Sequence, residues 1–109
     1  MTINEILGKC SHLKVEEKRV SSIDYEEWVI CKQDIDLWNS ILSEFLGAPV
    51  KSAGEKTTQR HFALAVNYGG LFDQQTLFYR KFEEQSVIVM FWPWRDDIHV
   101  TLKIASIKE

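Results

Sequence analysis

Residues 86–104 read SVIVMFWPWRDDIHVTLKI, two apolar runs joined by a charged turn. Successive side chains of a strand point to opposite faces. In the first run both alternating rows are apolar: Ile88, Met90, Trp92 and Trp94 on one side, Val87, Val89, Phe91 and Pro93 on the other. In the second run only Val100, Leu102 and Ile104 are, against His99, Thr101 and Lys103. The last strand therefore says which face is core, and the parity of the loop says which row of the tryptophan strand joins it. A slip of one residue exchanges the two rows. An odd loop, Arg95-Asp96-Asp97, sets Trp94 opposite Ile98 and Trp92 opposite Val100, with the tryptophans inside. An even loop sets Trp94 opposite His99 and Trp92 opposite Thr101, on a face left bare unless a second layer covers it. The odd register is the expectation. Asp-Asp makes a poor two-residue hairpin turn, although a four-residue loop restores the even register, and four large apolar side chains left together in water favour association. Pro93 has no N–H for a ladder, so it marks a strand end, an edge or a bulge. Trp94, beyond it, is expected to be partly exposed.

Outward from this hairpin the pattern stays legible. QQTLFYRKF, residues 74–82, is a further aromatic and β-branched run, and short polar joins link the three runs into an antiparallel meander. HFALAVNY, residues 61–68, alternates Phe62, Leu64, Val66 and Tyr68 with smaller or polar residues and reads as a fourth strand, though its alanines leave a helix open. Asn67 to Gly70 is turn chemistry. Between Val50 and Gln59 the chain is polar and reads as a loop. Before it, Leu37, Trp38, Ile41, Leu42, Phe45 and Leu46 form one wide apolar stripe at helical spacing. Asp34 or Asp36 suits the helix start, Gly47 the residue after its last turn, and Pro49 forbids continuation. In the first third a short helix over 3–8 and strands within 13–20 and 23–31 are expected. The sum is a single α+β domain over residues 1–109: an antiparallel sheet of about 4–6 strands with a C-terminal meander, and one long amphipathic helix (about 35–46) packed on one face.

The bulk numbers narrow the class. In 109 residues, 45% are hydrophobic and 12% aromatic, enough apolar material for a core without staples. Sixteen acidic against 13 basic residues give a net charge of −3, with the basic residues scattered. Nucleic-acid binding, which needs clustered Lys and Arg, is not expected. No run approaches a membrane span, and the N-terminal MTINEILGKC is no signal peptide. Two cysteines, Cys10 and Cys31, are too few for a disulfide scaffold, so a cytoplasmic protein with reduced thiols is expected.

No catalytic, metal or cofactor motif stands out. Cys10 and His12 form a close pair with nothing elsewhere to complete a zinc site. Asp96, Asp97 and His99 are residue types for a general base with its orienting carboxylate, or for a divalent cation, but aspartates are ordinary in a turn. Gly69-Gly70 is no phosphate cradle, and no serine sits in a nucleophile elbow. What remains is a surface. Trp94, Arg95, Asp96, Asp97 and His99, joined by Gln75 and Arg80 from the preceding strand, make a polar–aromatic cluster of the composition found at protein hot spots and small-ligand sites. The expected function is non-enzymatic recognition of a protein partner, or self-association as a homodimer, with no cofactor. A small-molecule site or minor enzyme at the Trp94–His99 hairpin is the alternative.

Overall fold

The computed structural model describes residues 2–108. Its elements are α1 (Ile3–Lys9), β1 (Glu17–Ser21), β2 (Tyr25–Cys31), α2 (Ile35–Leu46), α3 (Gln59–Ala65), β3 (Thr76–Lys81), β4 (Ser86–Pro93) and β5 (His99–Ile107), with single 3-10 turns at Lys32–Asp34 and Val66–Tyr68. The strands form one antiparallel five-stranded sheet in the order β1-β2-β5-β4-β3. The meander β3-β4-β5 and the helix over 35–46 are as the sequence predicts, and the fold is α+β. The N-terminal hairpin adds to the free edge of β5, which leaves β5 central.

One face of the sheet carries Trp28, Ile30, Phe78, Val87, Val89, Phe91, Val100, Leu102 and Ile104. Helices α1 and α2 cover it with Ile3, Ile6, Leu7, Trp38, Leu42 and Leu46. Within the predicted stripe, Trp38, Leu42 and Leu46 are buried, while Leu37 is 55% exposed and lies outside the contact. Gly47 ends α2 at φ +79, a conformation that disfavours a side chain. The capping box at Thr2 and Glu5 starts α1.

Two expectations fail, and they fail together. Residues 61–68 are helix α3 and a 3-10 turn, not a strand. Thr58 caps α3, its hydroxyl accepting from the His61 N–H at 3.2 Å. Leu64, Ala65 and Tyr68 then meet the sheet at helical spacing, while Phe62 and Val66 point to solvent. This short helix and the Gly69–Gln75 loop are the second layer that the even register requires. The hairpin takes that register. Met90 pairs with Lys103 and Trp92 with Thr101, and the Trp94 N–H donates to the His99 carbonyl at 2.9 Å. The loop is Arg95 to Ile98, with Asp97 in the left-handed region at φ +61. Asp96 stabilises it, accepting from the N–H groups of Ile98 (2.9 Å) and His99 (3.0 Å). Ile88, Met90, Leu77 and Ala105 are thus buried against Ala65 and Leu71 on the second face. The sheet is sandwiched between two layers, not roofed on one side only.

Candidate functional site

Past Trp92 the second layer ends, and the sheet face continues through Thr101, Val29, Cys31 and His99. It is not left bare. Trp94 folds back over it and donates from its indole Nε1 to the Thr101 hydroxyl at 2.7 Å. The Arg19 guanidinium, on the bulged strand β1, lies 5.0 Å from the Trp94 ring centroid, a cation–π arrangement. The His99 ring lies against the indole at 4.9 Å. Val29, Thr101 and Cys31 are buried beneath this clasp while Trp94 itself is half-buried.

The polar groups of the hairpin are bonded to one another. His99 Nδ1 stands 2.5 Å from Asp96 Oδ2. That contact, with the two backbone donors, holds the Asp96 carboxyl down at about 2. Lys32 pairs with Asp97, and the Lys32 N–H donates to the Ile98 carbonyl at 2.8 Å. Opposite His99, the Cys31 thiol donates to Glu16 Oε1 at 2.9 Å, and Lys14 stands 3.1 Å from the same carboxylate. Glu16 raises the thiol's pKa, so Cys31 stays protonated, a poor nucleophile. Both Asp96 oxygens are engaged, which suits a fixed turn better than a base or a metal ligand. Among the described residues no group of three or more His, Cys, Asp or Glu is placed to hold a metal ion. A hollow of about 490 Å³ beside the hairpin is lined by Cys31, Lys32, Gln33, Asp97 and Ile98.

Trp94, Asp96, Asp97 and His99 therefore come together as the sequence suggests, with Arg95 exposed at the loop. Gln75 and Arg80 do not join them. Gln75 is buried and accepts from the Phe72 N–H at 2.9 Å. Arg80 stands opposite Val87, at the far end of β4, and donates to the Phe45 carbonyl at 2.6 Å. The strand order explains this: β3 lies on the side of β4 away from β5.

A second set of residues went unread in the sequence. Trp92 is half-buried, with Lys103 Nζ 3.5 Å from its centroid and Phe72 edge-on at 6.3 Å. Phe72 is 59% exposed, and on α3 and the turn after it Phe62 is 42% exposed and Val66 52%. Phe62, Leu71 and Phe72 line an open hollow of about 480 Å³ with Thr57, Thr58 and Asp73. Trp92, near the end of β4, and Trp94, just past it, are two residues apart in the chain, with Phe72 against the first and His99 against the second. The signal was in GGLFDQQ, where an aromatic follows two glycines inside a turn, but the reading of 61–68 as a strand hid its partner Phe62.

The chain matches no family model, no curated protein and no solved structure. Among the described residues no helix is long and apolar enough to cross a membrane.

Proposed function

We propose that this chain is a non-enzymatic protein-recognition domain of the cytoplasm, binding a protein partner or a second copy of itself through the aromatic surface from Phe62 and Phe72 past Trp92 to Trp94. The observation that carries this reading is the exposure of Phe62, Val66 and Phe72 on one side of the thin second layer. Clustered aromatics at a solvent face, flanked by Arg and Lys, are the composition of interface hot spots. Two free cysteines without a disulfide agree with a reducing compartment. The hollow beside Ile98 supports a second reading, a small-ligand site at the hairpin, but Trp94 does not line it.

Light scattering coupled to size-exclusion chromatography tests the first reading. The expected result is a mass that rises with concentration in the wild-type chain and stays monomeric in Phe72→Asp, a substitution at an exposed position that leaves the core intact. If the wild type is monomeric throughout, affinity capture with Phe72→Asp as the control becomes the test. Recovery of the same proteins by both chains overturns the proposal.

A further inference from the structure

On the opposite side of the molecule, the loop after α1 meets the β1-β2 hairpin around a third cavity, of about 330 Å³. Its walls are largely apolar: Leu7, Leu13 and Val15, with Trp28 as the broad surface. Two charged side chains, Glu26 and Lys18, break this pattern. Glu26 is only 6% exposed and lines the cavity. Its carboxylate accepts from Trp28 Nε1 at 3.0 Å and from the Ser21 hydroxyl at 2.5 Å. Both donors are neutral. Among the described residues no Lys, Arg or His nitrogen stands within ion-pair distance of it. Lys18, which also lines the cavity, lays its ammonium over the Trp28 ring, 4.7 Å from the centroid, rather than on the carboxylate.

A carboxylate taken out of water costs several kcal/mol unless a cation or a full set of donors compensates it. An ionised carboxylate has about four lone-pair sites, and two donors leave Glu26 with acceptor capacity unused. A ring face beside a carboxylate is also the arrangement that recognises ammonium ions. The cavity lies at the small end of ligand-pocket volumes. We propose that it binds a small organic ammonium ion with an aliphatic body. The ammonium donates to Glu26 and takes the place over Trp28 that the Lys18 side chain holds in its absence. The aliphatic part lies on Leu7, Leu13 and Val15. Lys18, exposed and flexible, swings out to water as the ligand enters. Carboxylate ligands are excluded by the charge of Glu26, and neutral alcohols lack the ion pair. The proposal is independent of the aromatic surface on the other side of the sheet.

Hexylammonium chloride, titrated into the whole chain while the indole N–H resonances are followed by NMR, tests it, with hexanol and hexanoate as matched controls. The expected result is a saturable shift of the Trp28 indole with hexylammonium, with hexanol weaker by about tenfold, the loss of one charge-assisted contact. Glu26→Gln is expected to weaken hexylammonium by about the same factor, and Lys18→Met to tighten it by removing the competing ammonium. If Glu26→Gln does not fold, the comparison of amine with alcohol on the wild type and the Lys18→Met titration still decide. No saturable Trp28 shift, hexanol binding as well as the amine, or unchanged affinity in a folded Glu26→Gln overturns the proposal.

Discussion

Strand β4 is apolar on both faces, yet the two faces are covered by different means. Toward α1 and α2, its Val87, Val89 and Phe91 enter a continuous apolar cluster with Trp28, Trp38 and Leu42. Toward α3, its Ile88 and Met90 enter a smaller cluster whose margin is mixed: Tyr25 stacks on Tyr68 at 5.4 Å, and Lys103 reaches the Tyr68 carbonyl at 2.8 Å. Where that layer ends, single side chains take over, with Trp94 held between Arg19, His99 and Thr101. Each face also buries an indole N–H that has no partner among the described residues, Trp38 on the first and Trp92 on the second. An unmade hydrogen bond of this kind costs about 1–3 kcal/mol, of the order of what burying one large apolar side chain returns. The larger buried apolar cluster lies on the face covered by α1 and α2. The thinner face leaves Phe62, Val66 and Phe72 exposed, and it is the face to which the proposed recognition role is assigned.

The largest expected effect tests that asymmetry. Phe78 is fully buried on the helical face and meets Phe91 edge-on at 5.6 Å. Phe78→Ala should cost about 3–5 kcal/mol in denaturant unfolding, since a close-packed core fills little of the cavity left behind. Leu71→Ala, on the second face, removes a side chain carried by a loop that can settle into the space, and its loss should fall near about 2 kcal/mol. A loss at Leu71 equal to that at Phe78 would break the contrast.

How far this arrangement was legible in the residues follows from the range of the interactions. Helix α2 was readable because its stripe is local, and the meander because three alternating runs are joined by short polar turns. Strand β1 was barely readable, since all five of its residues are exposed and no alternation marks it. The 61–68 segment defeats period counting: the rows at Phe62, Leu64, Val66 and Tyr68 are compatible with both geometries, and only the Thr58 cap and two alanines tip the balance. The hairpin register was undecidable from the turn, because Asp-Asp fits several loop lengths and the deciding fact, a second layer, lies elsewhere in the chain. The clasp shows the same limit. Pro93 foretold a half-exposed Trp94, but its contact with Arg19 crosses from β1 over β2 and β5, and nothing near residue 19 announces it.

A glycine at the boundary sharpens the comparison. Gly69 has φ +99, and a Cβ there would stand 2.6 Å from Trp92 Cη2 and 3.0 Å from Lys103 Nζ. Gly69→Ala combines left-handed strain, about 1–3 kcal/mol, with displacement of the indole and its ammonium. The second face should loosen first. Amide exchange is expected to accelerate in α3 and the Gly69–Gln75 loop, while Leu42 and the buried centre of β4 retain their protection. Equal acceleration on both sides of the sheet would mean that the layers open as one unit.

The smallest expected effect concerns the turn that fixes the register. Asp96 is held at about 2, first by His99 and then by the N–H groups of Ile98 and His99, against an ordinary value near about 4. A carboxyl whose folded pKa is depressed adds stability above its unfolded pKa, and that contribution is lost as the pH falls through the folded value. In Asp96→Asn the acceptor oxygen survives and the charge does not. The wild type should therefore be the more stable chain at pH 6, and urea midpoints of the two should converge as the pH drops from about 4 to about 2. The carboxylate is at the surface, so the gap is small and shrinks with added salt. A gap that stays constant over that window would mean that it does not arise from the Asp96 charge. The contact with His99 would then add no charge-dependent stability to the turn.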